Sequence, residues 1–163
     1  MIQTQENFDQ MSWHDCHIWA MEFRVGDSGE GDWTSELVLD IDFIVEWICD
    51  TDGVSGFRVA PANLVFHGVT DLKISIDCDR GLQAALHPLS INHIEREPVR
   101  DQKIYLDRTY YKWKINLNWP EDSELTFGSA GFSQVLRTDP VFSTEQYLTC
   151  REISSAALPK KEL

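Results

Sequence analysis

Residues 37–49 read LVLDIDFIVEWIC and carry the clearest structural signal in the chain. Every odd position is apolar, whereas the even positions include Asp40, Asp42 and Glu46. A period of two predicts a β-strand with one buried face and one face in contact with water. Such a strand would span about 40 Å, which exceeds the usual length, so we expect it to bend, to contain a bulge or to serve two sheets.

The same alternation recurs along the rest of the chain. Apolar and polar residues alternate from Trp19 to Val25, from Leu72 to Cys78 and from Tyr111 to Trp119. The pair Asp52-Gly53 suits a tight turn between two strands, because both residue types tolerate positive φ. No helical stretch separates these segments, which argues against a parallel α/β sheet.

These patterns predict an all-β fold, either an antiparallel β-sandwich or a partly open β-barrel. A short N-terminal helix is predicted over Gln5 to Met11, because Phe8 and Met11 are spaced to share one side. Gln146 to Ile153 is predicted as the last strand. We expect a single β domain over residues 1–153 and a flexible C-terminal tail over residues 154–163.

Composition places the chain among globular proteins, because 42% of its residues are hydrophobic and 11% are aromatic. It contains no apolar run of membrane-spanning length and no secretory signal, so no membrane association is expected. None of the four cysteines is paired at Cys-x-x-Cys spacing, and the prediction is reduced thiols in a cytoplasmic protein. Two disulfides after export are the alternative. The cysteines are Cys16, Cys49, Cys78 and Cys150.

The net charge of −13 is unevenly placed. From Val25 to Phe57 the chain has nine acidic residues and no Lys, Arg or His. This charge argues against nucleic-acid binding and favours a basic protein or a cation as partner, with simple solubility as the plainer explanation. The predicted partner-binding residues are Asp40, Asp42, Glu46 and Asp50.

The densest cluster of reactive side chains is His14, Asp15, Cys16 and His17. These residue types occur in zinc sites and in Cys-His nucleophilic pairs. On a strand, however, His14 and Cys16 would face away from Asp15 and His17, so the run could not complete a metal site alone. The further ligands would have to come from His67, His87 or His93. A structural role is favoured, in which Asp15 anchors a turn with His14 bonded beside it, and no metal or cofactor is expected.

Two acidic motifs have plainer explanations than catalysis or metal binding. Asp40 and Asp42 have the spacing of paired carboxylates in glycoside hydrolysis, but a wet acidic face would not raise the pKa of either one. Asp50 to Gly53 resembles the start of a calcium loop, yet no Glu completes the twelve-residue pattern. A solvated acidic stripe explains Asp40 and Asp42, and a tight hairpin turn explains Asp50 to Gly53.

The segment from Phe8 to Ile18, with its Trp-His-Asp-Cys core at Trp13 to Cys16 and a long alternating strand after it, resembles a group of small bacterial β-rich proteins, most of them uncharacterised. It is also similar to immunity proteins of polymorphic-toxin systems, several of which begin with an aromatic-His-Asp-small run that leads into a strand. The resemblance implies no catalytic residues, because an immunity protein acts by occlusion.

The sequence therefore predicts a non-enzymatic binding protein with an acidic surface, for example an immunity protein that blocks a basic toxin. The alternative is a small-ligand carrier or an enzyme with a pocket inside the β-structure, lined by tryptophans such as Trp13, Trp19 and Trp47.

Overall fold

The computed structural model describes residues 2–51, 53–77, 89–99 and 109–148, and these residues form ten strands. Two short 3-10 helices cover Gln5–Gln10 and Ser28–Glu30. The strands are β1 (Ile2–Thr4), β2 (His17–Val25), β3 (Ser35–Asp50), β4 (Gly53–His67), β5 (Thr70–Ser75), β6 (Leu89–Pro98), β7 (Tyr111–Trp119), β8 (Glu124–Ser129), β9 (Gly131–Leu136) and β10 (Val141–Ser143).

The strands join into one open antiparallel sheet in the order β1-β9-β4-β3-β2-β6-β7-β8-β5, with β10 pairing with β4. The all-β antiparallel prediction is confirmed, although the strands form one continuous sheet and not two. The predicted N-terminal helix is only a 3-10 turn, because the backbone of Met11 is already extended and its N–H bonds back to Phe8 O at 3.1 Å. No helix among the described residues has the length and apolarity needed to cross a membrane.

The sheet curls over itself around the core. The ring of Phe66 on β4 lies 5.1 Å from that of Trp113 on β7 and 4.7 Å from that of Phe127 on β8. Because β4 and β7 are separated by β3, β2 and β6 in the sheet, these contacts require its two halves to face each other. Trp113 is fully buried between them.

Strand β3 runs through the middle of the sheet and defines its two faces. Leu37, Leu39 and Ile41 point to the inner face and are at most 1% exposed, as the alternation predicts. The pairing of β3 with β4 shifts register between Ile44 and Glu46 and again between Ile48 and Cys49. The expected irregularity is therefore confirmed. The alternation of burial ends just before the first shift, where Phe43 is half-buried and Ile44 is buried, and the residues Val45, Trp47 and Cys49, which the alternation predicts to be buried, are exposed.

After β10 the chain leaves the sheet edge and crosses its outer face as far as β2. We call residues 143–148 the C-terminal strap. Residues 146–148 do not form the predicted strand, because Gln146 Nε2 and the N–H of Leu148 bond to side chains in the turn before β2 and on β3 and not to the backbone of a neighbouring strand. The rest of that predicted strand, the predicted tail, His87, Cys78 and Cys150 lie outside the described residues.

Replacing Phe66 with Ala should lower the free energy of unfolding by about 3–5 kcal/mol, since it removes a ring that both halves of the sheet contact. The matched control is Ile2→Ala, because Ile2 is 65% exposed on β1 and should change stability by less than about 0.5 kcal/mol. Urea unfolding of both variants checks this, and equal losses would contradict the curled arrangement.

Candidate functional site

Two features that the sequence singled out separately meet at one place on the outer face. β2 and β3 are antiparallel, and their register places His17 directly opposite Asp42. The last residue of the His14–His17 cluster is therefore a cross-strand neighbour of an acidic β3 residue. We call Asp15, His17, Trp19 and Asp42 the acidic notch.

The chain turns sharply before β2. Asp15 has a φ of 62°, a left-handed conformation that Asp tolerates better than most residues, and its N–H donates to Ile91 O at 2.8 Å. The N–H of Cys16 donates to Trp13 O at 3.0 Å, which closes the turn. The strand-like alternation expected over His14 to His17 is wrong, because β2 begins only at His17: His14 is exposed and Cys16 is fully buried.

The Asp15 carboxylate holds three parts of the chain together. It accepts hydrogen bonds from Asn118 Nδ2 on β7 at 2.6 Å and from Gln146 Nε2 on the strap at 2.8 Å. His14 Nδ1 lies 3.0 Å from the same carboxylate, whose side chain is 19% exposed. This is the anchoring position that the sequence interpretation favoured.

Asp42 corrects the expectation of a solvent-facing acidic stripe. It lies on the outer face but is 0% exposed. Its Oδ2 accepts hydrogen bonds from Trp19 Nε1 at 2.8 Å and from the backbone N–H of Leu148 at 3.0 Å. The alternation predicted the correct face, but the strap and the Trp19 indole cover that face at this point.

His17 lies under the strap beside Asp42. Its ring packs edge-on against Tyr147, with centroids 4.9 Å apart, and Trp19 contacts the same tyrosine ring at 6.4 Å. Burial lowers the pKa of His17, and the negative charges of Asp42 and Asp15 oppose that effect only in part. The imidazole is therefore neutral at neutral pH.

Cys16 is not available as a nucleophile. Burial raises the pKa of its thiol to about 12, although its Sγ accepts a hydrogen bond from the N–H of Ile44. A thiol that stays protonated is neither a nucleophile nor a metal ligand. The Cys-His pair considered from the sequence therefore has no chemical basis in this environment.

The remaining acidic β3 residues differ from the expected stripe. Asp40 pairs with Arg137 at 2.8 Å, and Glu46 pairs with Arg58 at 3.2 Å. Both arginines come from other parts of the sheet, so a window without bases in the sequence has bases beside it in space. Asp50 is exposed at the far end of β3.

The loop between β2 and β3 holds a more open acidic surface. Trp33 is 81% exposed there. Asp27 and Asp32 hold the loop backbone, because their side chains accept the N–H groups of Gly29 and Thr34 at 2.8 and 3.0 Å. Glu30 belongs to the same loop, so the exposed indole lies in a segment that carries three acidic residues.

Sequence reasoning missed a hydrogen-bonded chain on the outer face. His67 Nδ1 lies 2.9 Å from Glu36 Oε1, and His67 Nε2 lies 2.8 Å from Ser133 Oγ. The three residues come from β4, β3 and β9, and the imidazole is 45% exposed. Only the strand register brings them together, so no sequence motif could have revealed them.

A polar groove of about 530 Å³ lies over β6, β7 and the β7–β8 turn. His93 Nε2 and Asn116 Nδ2 are 2.8 Å apart in it, and Lys114 pairs with Glu124 at 2.8 Å. Of the tryptophans expected to line an internal pocket, Trp13 lies in the core, where its Nε1 donates to Gln134 Oε1, and Trp19 and Trp47 are each 40% exposed.

Searches with known proteins do not identify this site. No protein-family model, no curated protein and no solved structure is significantly similar to the chain. Across residues 2–51, 53–77, 89–99 and 109–148, no three His, Cys, Asp or Glu side chains are grouped as a metal site would require.

The lowered pKa of His17 predicts that the folded state loses stability as the pH falls below 6.5, the value for an unperturbed histidine. The unfolded chain takes up the proton more readily than the folded one, so acid favours unfolding until the folded pKa is passed. The groups facing this imidazole are Asp15, Asp42 and Tyr147.

His17→Gln should therefore give a shallower loss of stability between pH 6.5 and 5 than the unmodified protein, as measured by urea unfolding. His93→Gln serves as the matched control because His93 is exposed. If both variants show the same pH profile as the unmodified protein, the burial of His17 is not linked to folding.

Proposed function

We propose that the chain is a non-enzymatic binding protein whose acidic surface engages a basic protein, in the manner of an immunity protein that occludes a basic toxin. The observation that carries this proposal is the exposure of Trp33 within the acidic β2–β3 loop. A large exposed aromatic ring contributes little to folding, whereas tryptophan is among the residues that dominate binding energy at interfaces.

Charge supports a basic partner. The net charge is −13, and the loop acids lie in the part of the sequence that has no base. Acidic residues around an aromatic anchor would speed association with a cationic protein and would exclude acidic ones. Since Asp40 and Glu46 are paired with arginines and Asp42 is covered, the contact surface shifts from the middle of β3 to this loop.

A cytoplasmic location belongs to the same proposal. Cys16 and Cys49 are both free thiols. Thiols that are not joined in a disulfide fit a reducing compartment, where disulfides are rare.

Trp33→Ala should weaken binding to the basic partner by roughly tenfold or more, because it removes the aromatic anchor. The partner would be obtained by affinity capture from the native source and then purified. Binding of the purified pair would be measured at low and high salt, where screening should slow association.

Ile2→Ala is the matched control, since it removes an exposed apolar side chain on β1. Equal affinity for Trp33→Ala and Ile2→Ala, or association that is indifferent to salt, would contradict the proposal.

A second candidate function, hydrolysis of esters, is favoured by the chain from Glu36 through His67 to Ser133. Its distances match an oriented base beside a serine nucleophile. We rank it second because these three hydrogen-bonded residues lie on a half-exposed sheet face, where water competes with any group that would stabilise an oxyanion.

A fluorophosphonate probe separates the two candidates. We expect the intact mass of the protein to stay unchanged after incubation with the probe. A single adduct on Ser133 that disappears in His67→Gln would reverse the ranking.

A further inference from the structure

Three consecutive strap residues contact the acidic notch in the way that a bound peptide contacts a receptor. The side-chain amide of Gln146 donates to Asp15 at 2.8 Å. The ring of Tyr147 packs against His17 at 4.9 Å, and the backbone N–H of Leu148 donates to Asp42 at 3.0 Å. A side-chain donor, an aromatic ring and a main-chain donor each meet a matching group.

We propose that the acidic notch is a peptide-binding site, that the chain's own residues 146–148 fill it, and that the ligand which displaces them is a short extended peptide carrying a cationic side chain next to an aromatic one. This inference rests on the proposed function, because the ligand has the chemistry of a basic partner. It adds a second contact site, which is distinct from the Trp33 loop and is closed by the strap in the free protein.

The cationic preference follows from the donor that Gln146 supplies. A neutral amide brings no charge to the Asp15 carboxylate, whereas Arg or Lys at that position would add an ion pair to the hydrogen bond. The aromatic preference follows from the rings of His17 and Trp19, which both contact Tyr147.

The strap is held in a way that allows it to leave. In this part of the chain, Val141–Ser143 pair with β4, whereas residues 144–148 belong to no strand. Within the strap, Ser143 Oγ donates to Tyr147 O at 3.3 Å and accepts the N–H of Glu145 at 3.0 Å. Opening the notch leaves the strand pairing intact, and it breaks the hydrogen bonds of Gln146 and Leu148, the ring contacts of Tyr147 and the packing of Leu148 against the core.

Tethering explains why the notch would be closed in the free protein. A covalently attached segment acts at an effective concentration in the millimolar range, so a free peptide must compete with it. Loosening the strap should raise the apparent affinity for a free peptide without any change in the notch itself.

The test uses the full chain and a variant with a weakened strap, Gln146→Ala with Tyr147→Ala. The matched control is Thr144→Ala with Glu145→Ala, since both residues are exposed strap positions. The probes are fluorescent peptides with the sequence of residues 142–148, either unchanged or with Arg at the position of Gln146. Their binding is measured by fluorescence anisotropy.

We expect the weakened-strap variant to bind the Arg-containing peptide about tenfold more tightly than the control variant does, and more tightly than it binds the unchanged peptide. In the unmodified protein, saturating Arg-containing peptide should speed hydrogen exchange at the Leu148 amide, because the displaced strap loses Asp42 as acceptor. This second measurement needs no substitution, so it stands even where a variant folds poorly.

Equal binding to the control and weakened-strap variants would overturn the inference, as would unchanged exchange at Leu148 under saturating peptide. Dimers of the weakened-strap variant that resist dilution would also overturn it, in favour of a second copy's strap as the occupant. The Trp33 experiment remains separate: peptide binding at the notch combined with no effect of Trp33→Ala would refute the loop surface and leave the notch in place.

Discussion

The carboxylate of Asp15 is the constraint on which the outer face depends. Two of its amide partners, Asn118 and Gln146, lie 103 and 131 positions away in the chain. A largely buried carboxylate with several donors is stable in place, whereas its removal would take this acceptor from Gln146 and leave Asn118 Nδ2 with its contact to Ile91 O at 3.2 Å. The left-handed backbone at Asp15 is the local cost of aiming one side chain at the turn, at β7 and at the strap.

The position of the strap then determines how much acidic surface reaches water. Asp42 lies on the face that alternation assigned to solvent, yet Trp19 and Leu148 bond to it there and bury it. The net charge is a property of the composition. Which acidic side chains a partner can contact depends instead on the segments that cross the sheet and cover it.

Much of the fold follows from the alternation of apolar and polar residues along single strands, whereas much of the site does not. The inward positions of Leu37, Leu39 and Ile41 could be predicted, because a period of two fixes the faces of a strand. The pairing of Glu46 with Arg58 could not, because it depends on a register that shifts after Ile44. A pattern along one strand gives no information about what its neighbours place beside it or what covers it, which is why the stripe was predicted as open.

Burial leaves two groups at the notch uncharged: the thiol of Cys16, which stays protonated and is therefore no nucleophile, and the imidazole of His17. The acceptor atoms of the notch are the Asp15 carboxylate, which accepts from Gln146, and Asp42 Oδ2, which accepts from Trp19 and Leu148. A site with acceptor oxygens and aromatic walls favours ligands that carry hydrogen-bond donors and aromatic rings. The negative potential of the site attracts a cationic side chain more strongly than the neutral amide of Gln146.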